Sequence, residues 1–110
     1  MGGKKKDPIY YHQGIFANMR ELFLRTHKRN LYDRLIKTGK LESHLKSFQA
    51  YHAAVAQEMH QRLAEERGVD LKLYHYNATE WIFRVVEIQE EVRAYMIEQI
   101  NSEFEADSKE

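Results

Sequence analysis

Apolar residues recur along most of this chain at the three- and four-residue steps that place side chains on one face of an α-helix. The clearest repeat predicts a helix over residues 41–67, with seam positions at Leu41, Leu45, Phe48, His52, Val55, Met59 and Leu63. A second repeat predicts a helix over residues 78–101, with seam positions at Trp81, Val85, Ile88, Val92 and Tyr95. Two long amphipathic helices are therefore expected.

Glycine and asparagine mark the expected helix ends. Gly39 and Gly68 follow the last periodic residues of their segments, where a left-handed glycine commonly closes a helix. Asn77 and Glu80 stand three residues apart, the spacing of a capping box in which each side chain binds a backbone N–H of the other residue. We therefore expect the last helix to begin directly after Asn77.

The first helical region is interrupted by polar residues. After Gly14 the apolar positions form one stripe that ends near Phe23, and the pattern resumes from Leu31 to Ile36. The polar stretch 25–30 is either a kink or a short break. This region is therefore one bent helix or two short helices.

Together these elements predict an all-α fold, a small antiparallel helical bundle of three to four helices. Two helices are long, over about 41–67 and 78–101, and one or two shorter ones precede them. Residues 69–77 are expected to be a linker that packs across the bundle end. Residues 1–13 are predicted to be a basic and aromatic arm, residues 14–101 a single domain, and residues 102–110 an acidic tail that frays.

The composition is that of one soluble domain. The chain has 110 residues, of which 43% are hydrophobic and 31% charged, enough for a core of ordinary size. It contains no Cys, which excludes disulfides, thiolate zinc sites and cysteine nucleophiles. An export signal and an apolar run of about 18 residues are both lacking, so we expect a cytoplasmic protein that does not interact with membranes.

The charge is divided between the two halves of the chain. Residues 1–46 carry a net charge of +7 and residues 47–110 a net charge of −7, so the formal total is zero. Six cations of the first half are the candidate nucleic-acid or partner-binding residues: Arg20, Arg25, Lys28, Arg29, Arg34 and Lys40. Three interpretations stay open: internal neutralisation by the acidic helices, a phosphate-binding face, or docking to an acidic protein.

The second half offers a candidate acidic partner face on the last helix, formed by Glu87, Glu90, Glu91 and Glu98. The alternative interpretation is an ordinary solvated helix face, because Glu87 and Glu91 have no matching base or ligand beside them in the sequence. A basic protein is the partner that such a face would recognise.

The sequence shows no catalytic constellation. His44, His52 and His60 are spaced by eight residues, which rotates each by about 80° from the last around a helix, so they do not converge on one metal ion. His52, at a seam position, is either a hydrogen-bonded core histidine or a partner contact. We therefore predict that the protein is not an enzyme and has no cofactor and no metal.

One set of residues resembles the small transposon-encoded TnpV-like family. The motif residues are Gly14, Arg20, Phe23-Leu24, His27, Leu31-Tyr32, Leu35, Thr38-Gly39-Lys40-Leu41 and Leu45. Gly68, the Glu80-Trp81 pair and Ile88 fit the later half of the pattern, and the likeness covers roughly residues 8–100. The resemblance implies a helical protein carried on a mobile element of a bacterium or phage, with no catalytic residue.

The leading hypothesis is a non-enzymatic accessory protein of a mobile element that binds nucleic acid through its basic first half. The alternative is a protein-binding or inhibitory module that docks its charged faces on a host or phage factor. A homodimer is a third arrangement, because a short bundle can cover the apolar stripe of the 41–67 helix with a second copy.

Overall fold

The computed structural model describes residues 14–108, and this part of the chain is all-helical. Five helices follow one another: α1 (Ile15–His27), α2 (Arg29–Lys37), α3 (Leu41–Glu66), α4 (Leu71–Tyr76) and α5 (Ala78–Ser108). The sequence predicted three or four helices, and α4 is the additional one. The predicted N-terminal arm over residues 1–13 lies outside the described residues.

The polar stretch between the first two apolar repeats is a true break. Lys28 separates α1 from α2 with φ −133° and ψ 54°, which is outside the helical region. Its N–H still donates to the Leu24 carbonyl at 2.9 Å, so α1 ends with its last turn closed. The region therefore forms two short helices and not one bent helix.

Gly39 and Gly68 close α2 and α3 as predicted. Both are left-handed, with φ 71° and φ 70°. The residue after each glycine reaches back to the carbonyl five residues earlier, as Val69 N–H does to Ala64 at 2.8 Å. This is the Schellman arrangement, and Val69 is buried as its usual apolar contact.

The segment between α3 and α5 contains the helix α4, where the sequence pattern predicts a linker. The Asp70 carboxylate caps this helix by accepting from the Leu73 N–H at 3.0 Å. Asn77 then caps α5, because its side-chain oxygen accepts from the Glu80 N–H at 3.1 Å. Only half of the predicted capping box forms, since the Asn77 N–H donates to the Leu73 carbonyl and the Glu80 carboxylate accepts from Arg84.

The core lies where α3 contacts α1 and α5. Its fully buried members include Phe16 of α1, Ala56 of α3 and Val92 of α5. Along α5 the seam predicted at Val85 and Ile88 is confirmed, together with Val92. The predicted seam position Tyr95 is wrong, since it is exposed; the other buried positions of α5 are Met96, Ile100 and Phe104. Steps of four residues from Val92 onward rotate the seam gradually around the helix.

α5 is longer than predicted. It continues to Ser108, so the helix end expected at 101 is wrong, and the fraying expected from residue 102 is wrong for the described residues 102–108. The reason is Phe104, whose ring stacks on Phe23 with centroids 4.3 Å apart and an interplanar angle of 10°. This buried ring holds the last turns of α5 against α1 although the surrounding residues are acidic.

Candidate binding surface

Arg20 lies in an aromatic cluster rather than on an open surface. Its guanidinium carbon is 5.4 Å from the ring centre of Phe48 and 5.7 Å from those of Phe23 and Phe104. Its Nε donates to His44 Nε2 at 3.2 Å. Burial lowers the pKa of Arg20, an effect that the carboxylate of Asp107 partly opposes. Arg20 thus joins the core of three helices, and its charge faces rings at cation–π distance.

Lys28 and Arg29, at the break between α1 and α2, are engaged in ion pairs. Lys28 Nζ lies 3.4 Å from Asp107 Oδ1 at the end of α5. Arg29 Nε donates to Asp33 Oδ1 at 3.1 Å, and the guanidinium lies over the Tyr32 ring at 5.6 Å. Both pairs are partly solvated, where an ion pair contributes at most about 1 kcal/mol. These side chains are held near the surface and can still exchange partners.

Arg25, Arg34 and Lys40 are exposed, and no ion pair forms at any of them within residues 14–108. Lys37 is exposed as well, and Asp33 pairs with Arg29 rather than with this lysine. On α2, Arg34 and Lys37 follow Asn30 at helical spacing and share one face. We name these four cations, Arg25, Arg34, Lys37 and Lys40, the open cation set.

The acidic candidates lie on α5 and are all exposed. Glu91 accepts from Arg67 at 2.9 Å and so ties α5 to the end of α3. Glu87 lies near Arg84, whose pKa is raised mainly by its hydrogen bond to Glu80. For Glu90 and Glu98 no ion pair is found in the part of the chain that the structure describes. The acidic face is therefore partly neutralised by its own neighbours.

Of the histidines, His60 rather than His52 is buried. His60 is only 8% exposed, and burial lowers its pKa. His52 is half-buried; its Nδ1 lies 2.9 Å from the Phe48 carbonyl, and its ring contacts Phe48 at 4.2 Å. The hydrogen-bonded interpretation of His52 thus fits its position. The sequence signal for the burial of His60 is its four-residue spacing from Ala56, which places both residues on the core side of α3.

An open groove of about 540 Å³ lies between α1 and the end of α5. Phe23 and Phe104 form apolar parts of its wall, and Thr26, Asn101 and Glu105 are among its polar lining residues. Within residues 14–108 no group of three or more His, Asp or Glu side chains is arranged to hold a metal ion. The groove is thus lined by both apolar and polar side chains, His27 and Glu105 among the latter.

Within the same residues, no helix combines the length and the apolar character that a membrane crossing requires. The family model described as "Transposon-encoded protein TnpV" matches residues 4–103 of the chain. No curated protein and no solved structure gives a significant match.

Proposed function

Because the chain belongs to the transposon-encoded TnpV family, we propose that it is a non-enzymatic accessory protein of a mobile element. It acts by binding nucleic acid through phosphate contacts from its basic first half. The family membership accounts for the mobile element. The binding mode is our inference from how the charges are distributed over the fold.

The observation that carries this proposal is how little the two charged halves neutralise each other. Five ion pairs form among residues 14–108, and only the Lys28–Asp107 pair joins the basic half to the acidic half. The Arg29–Asp33 and Glu42–Lys46 pairs lie within the first half, and the other two lie within the second half. Internal neutralisation, the competing interpretation, would require several pairs across the halves. Among the described residues, the open cation set instead faces solvent.

The open cation set is the part of the basic half best suited to phosphate. Lysine and arginine that release counterions from a phosphate backbone give binding that depends on salt and not on base sequence. Arg34 and Lys37 project from one face of α2, which is only nine residues long. We do not assign base-specific contacts, and Arg20 is assigned to the core instead of the interface.

A protein partner is the second candidate. It is favoured by the exposed carboxylates of Glu87, Glu90 and Glu98, which with Glu91 line the solvent side of α5. A basic partner protein would compete with Arg67 for Glu91. This alternative predicts that reversing these acidic charges removes the interaction while the open cation set is dispensable.

The test is a titration of labelled duplex and single-stranded DNA by fluorescence anisotropy over a range of salt concentrations. The double variant Arg34→Gln/Lys37→Gln should bind more weakly and lower the slope of log K against log salt by about 2. The matched control is Arg62→Gln/Lys72→Gln, which makes the same charge change on exposed residues of the second half. Absence of binding to either nucleic acid at about 50 mM salt would remove the proposal.

A further inference from the structure

α5 has a second helical face besides its buried seam. Its positions follow at alternating steps of four and three residues, the spacing of a coiled-coil seam. We name it the outer face, and its members are Thr79, Phe83, Val86, Glu90, Arg93 and Ile97. The first four are exposed and the last two are half-buried. Val85, Ile88 and Val92 of the buried seam point away from it.

The N-terminal half of the outer face exposes large apolar side chains. Phe83 is 66% exposed and Val86 is 44% exposed, and Ile82 beside them is 47% exposed. Single apolar residues on a surface are ordinary, but neighbours on successive turns of one helix form a continuous patch. Such a patch marks a contact surface.

The described part of the chain is extended and thin rather than compact. The radius of gyration is 17.1 Å, with principal extents of 54 × 37 × 16 Å. A compact domain of this length has a radius of gyration of about 13 Å. Within residues 14–108, Phe83, Val86 and Glu90 of the outer face are exposed, so another helix can lie along this part of α5.

The charges on the outer face indicate which helix would pack against it and in which direction. Glu90 and Arg93 interrupt the apolar positions with opposite signs, three residues apart. In an antiparallel pair with its twofold axis between residues 91 and 92, Glu90 faces Arg93 of the second copy, and the reverse pair forms by symmetry. The same axis places Val86 opposite Ile97 of the second copy. A parallel pair would instead place like charges in register.

We propose that two copies of this chain associate through an antiparallel α5–α5 contact along the outer face. Glu90 and Arg93 set the register and direction, and Val86 and Ile97 supply apolar contact across the axis. The position facing Phe83 is Ile100, which is buried in its own chain, so Phe83 packs beside Ile97 of the second copy instead. Oppositely charged groups across a helix seam choose the partner and orientation more than they add affinity. This association is independent of whether the chain binds nucleic acid.

The association is tested by light scattering after size exclusion, over a range of protein concentrations. The wild-type chain should give twice the 13.2 kDa chain mass. Phe83→Asp should give the monomer mass with an unchanged free energy of unfolding in dilute solution, because Phe83 is exposed in the single chain. A wild-type mass of one chain at every concentration, or a dimer that Phe83→Asp leaves intact, would overturn the proposal.

Charge reversal tests the register. Glu90→Arg and Arg93→Glu each bring like charges together twice and should weaken the dimer about tenfold or more. The combined swap restores opposite charges and should restore the dimer. Glu66→Arg, the same charge change on an exposed residue of α3, is the matched control and should leave the dimer unchanged. A combined swap as weak as the single variants would refute the antiparallel pairing.

Discussion

Replacing Arg20 with glutamine removes a guanidinium that three phenylalanine rings surround at 5.4 to 5.7 Å. The same substitution removes the hydrogen-bond donor to His44 Nε2. That nitrogen is then left in a partly buried position without this hydrogen bond. The matched variant is Arg25→Gln, the same substitution on the same helix at an exposed position. Both arginines are binding candidates from the sequence, and the structure places them in different environments.

The expected loss follows from the contacts. A cation over an aromatic ring contributes about 0.5–1 kcal/mol when solvated and about 2 kcal/mol when desolvated. A lost side-chain hydrogen bond adds about 1 kcal/mol. The three ring contacts share one guanidinium, and burying that charge has its own desolvation cost, so their contributions do not add. We therefore expect Arg20→Gln to lower the free energy of unfolding by about 2 kcal/mol. Arg25→Gln should change it by less than about 0.5 kcal/mol.

The assay is urea unfolding followed by far-UV circular dichroism, with the free energy extrapolated linearly to water. Thermal unfolding should show Arg20→Gln melting roughly 10 °C below the wild type. Arg20→Lys keeps the charge but not the planar group that stacks on rings, so it should lose part of the same stability. An Arg20→Gln variant as stable as Arg25→Gln would refute the assignment of Arg20 to the core.

Four further outcomes are expected in the same unfolding assay. Phe104→Ala should cost about 3–5 kcal/mol through the lost stacking on the end of α5, and a loss below about 1 kcal/mol would contradict that packing. Gln57→Met should add about 1 kcal/mol, because Gln57 Oε1 is buried with no hydrogen-bond partner in the described chain; an unchanged stability would argue against this. Gly39→Ala should cost about 1–2 kcal/mol at φ 71°, with Gly39→Asn costing less. Burial lowers the pKa of both His44 and His60 in the folded state, so the unfolded chain binds more protons below pH 6.5 and stability should fall there as the pH falls. Replacing both histidines with glutamine should flatten this dependence.

The 41–67 helix was predictable because its sequence shows both a regular apolar period and a glycine just after its end. The expected 41–67 helix and the observed Leu41–Glu66 helix differ by one residue, since Gly68 fixes the C-terminal turn. The helix at Leu71–Tyr76 is too short to show an apolar period. Its one sequence signal is Asp70, a residue type that often caps helix N-termini. The end of α5 was misjudged because acidic residues surround Phe104, and its burial depends on rings from α1 and α3.

The candidate binding surface was likewise predictable only in part, because tertiary contacts are not visible in local sequence patterns. Sequence spacing identifies which cations lie on helices, but it does not say which of them are engaged. Phe23, Phe48 and Phe104 come from three segments that meet only in the folded chain, so no local pattern marks Arg20 as their common partner. The ion pair between Asp107 and Lys28 also joins residues that are far apart in the sequence, so no local pattern marks it either. Charge counts along the chain identify which half is basic, and tertiary contacts then show which of its cations are exposed and outside an ion pair, namely the open cation set.

The two proposals meet on α5. Lys28 beside Asp107 places the basic region of each copy near the C-terminal end of its own α5. An antiparallel pair with its axis between residues 91 and 92 then separates the two Asp107 positions by about 46 Å along the helices, at 1.5 Å per residue. If both proposals hold, such a dimer presents two basic surfaces to one nucleic acid, and avidity is expected. The Phe83→Asp monomer should keep the contacts of a single open cation set, so its salt slope should be about half that of the dimer; an unchanged slope would mean that one copy binds alone.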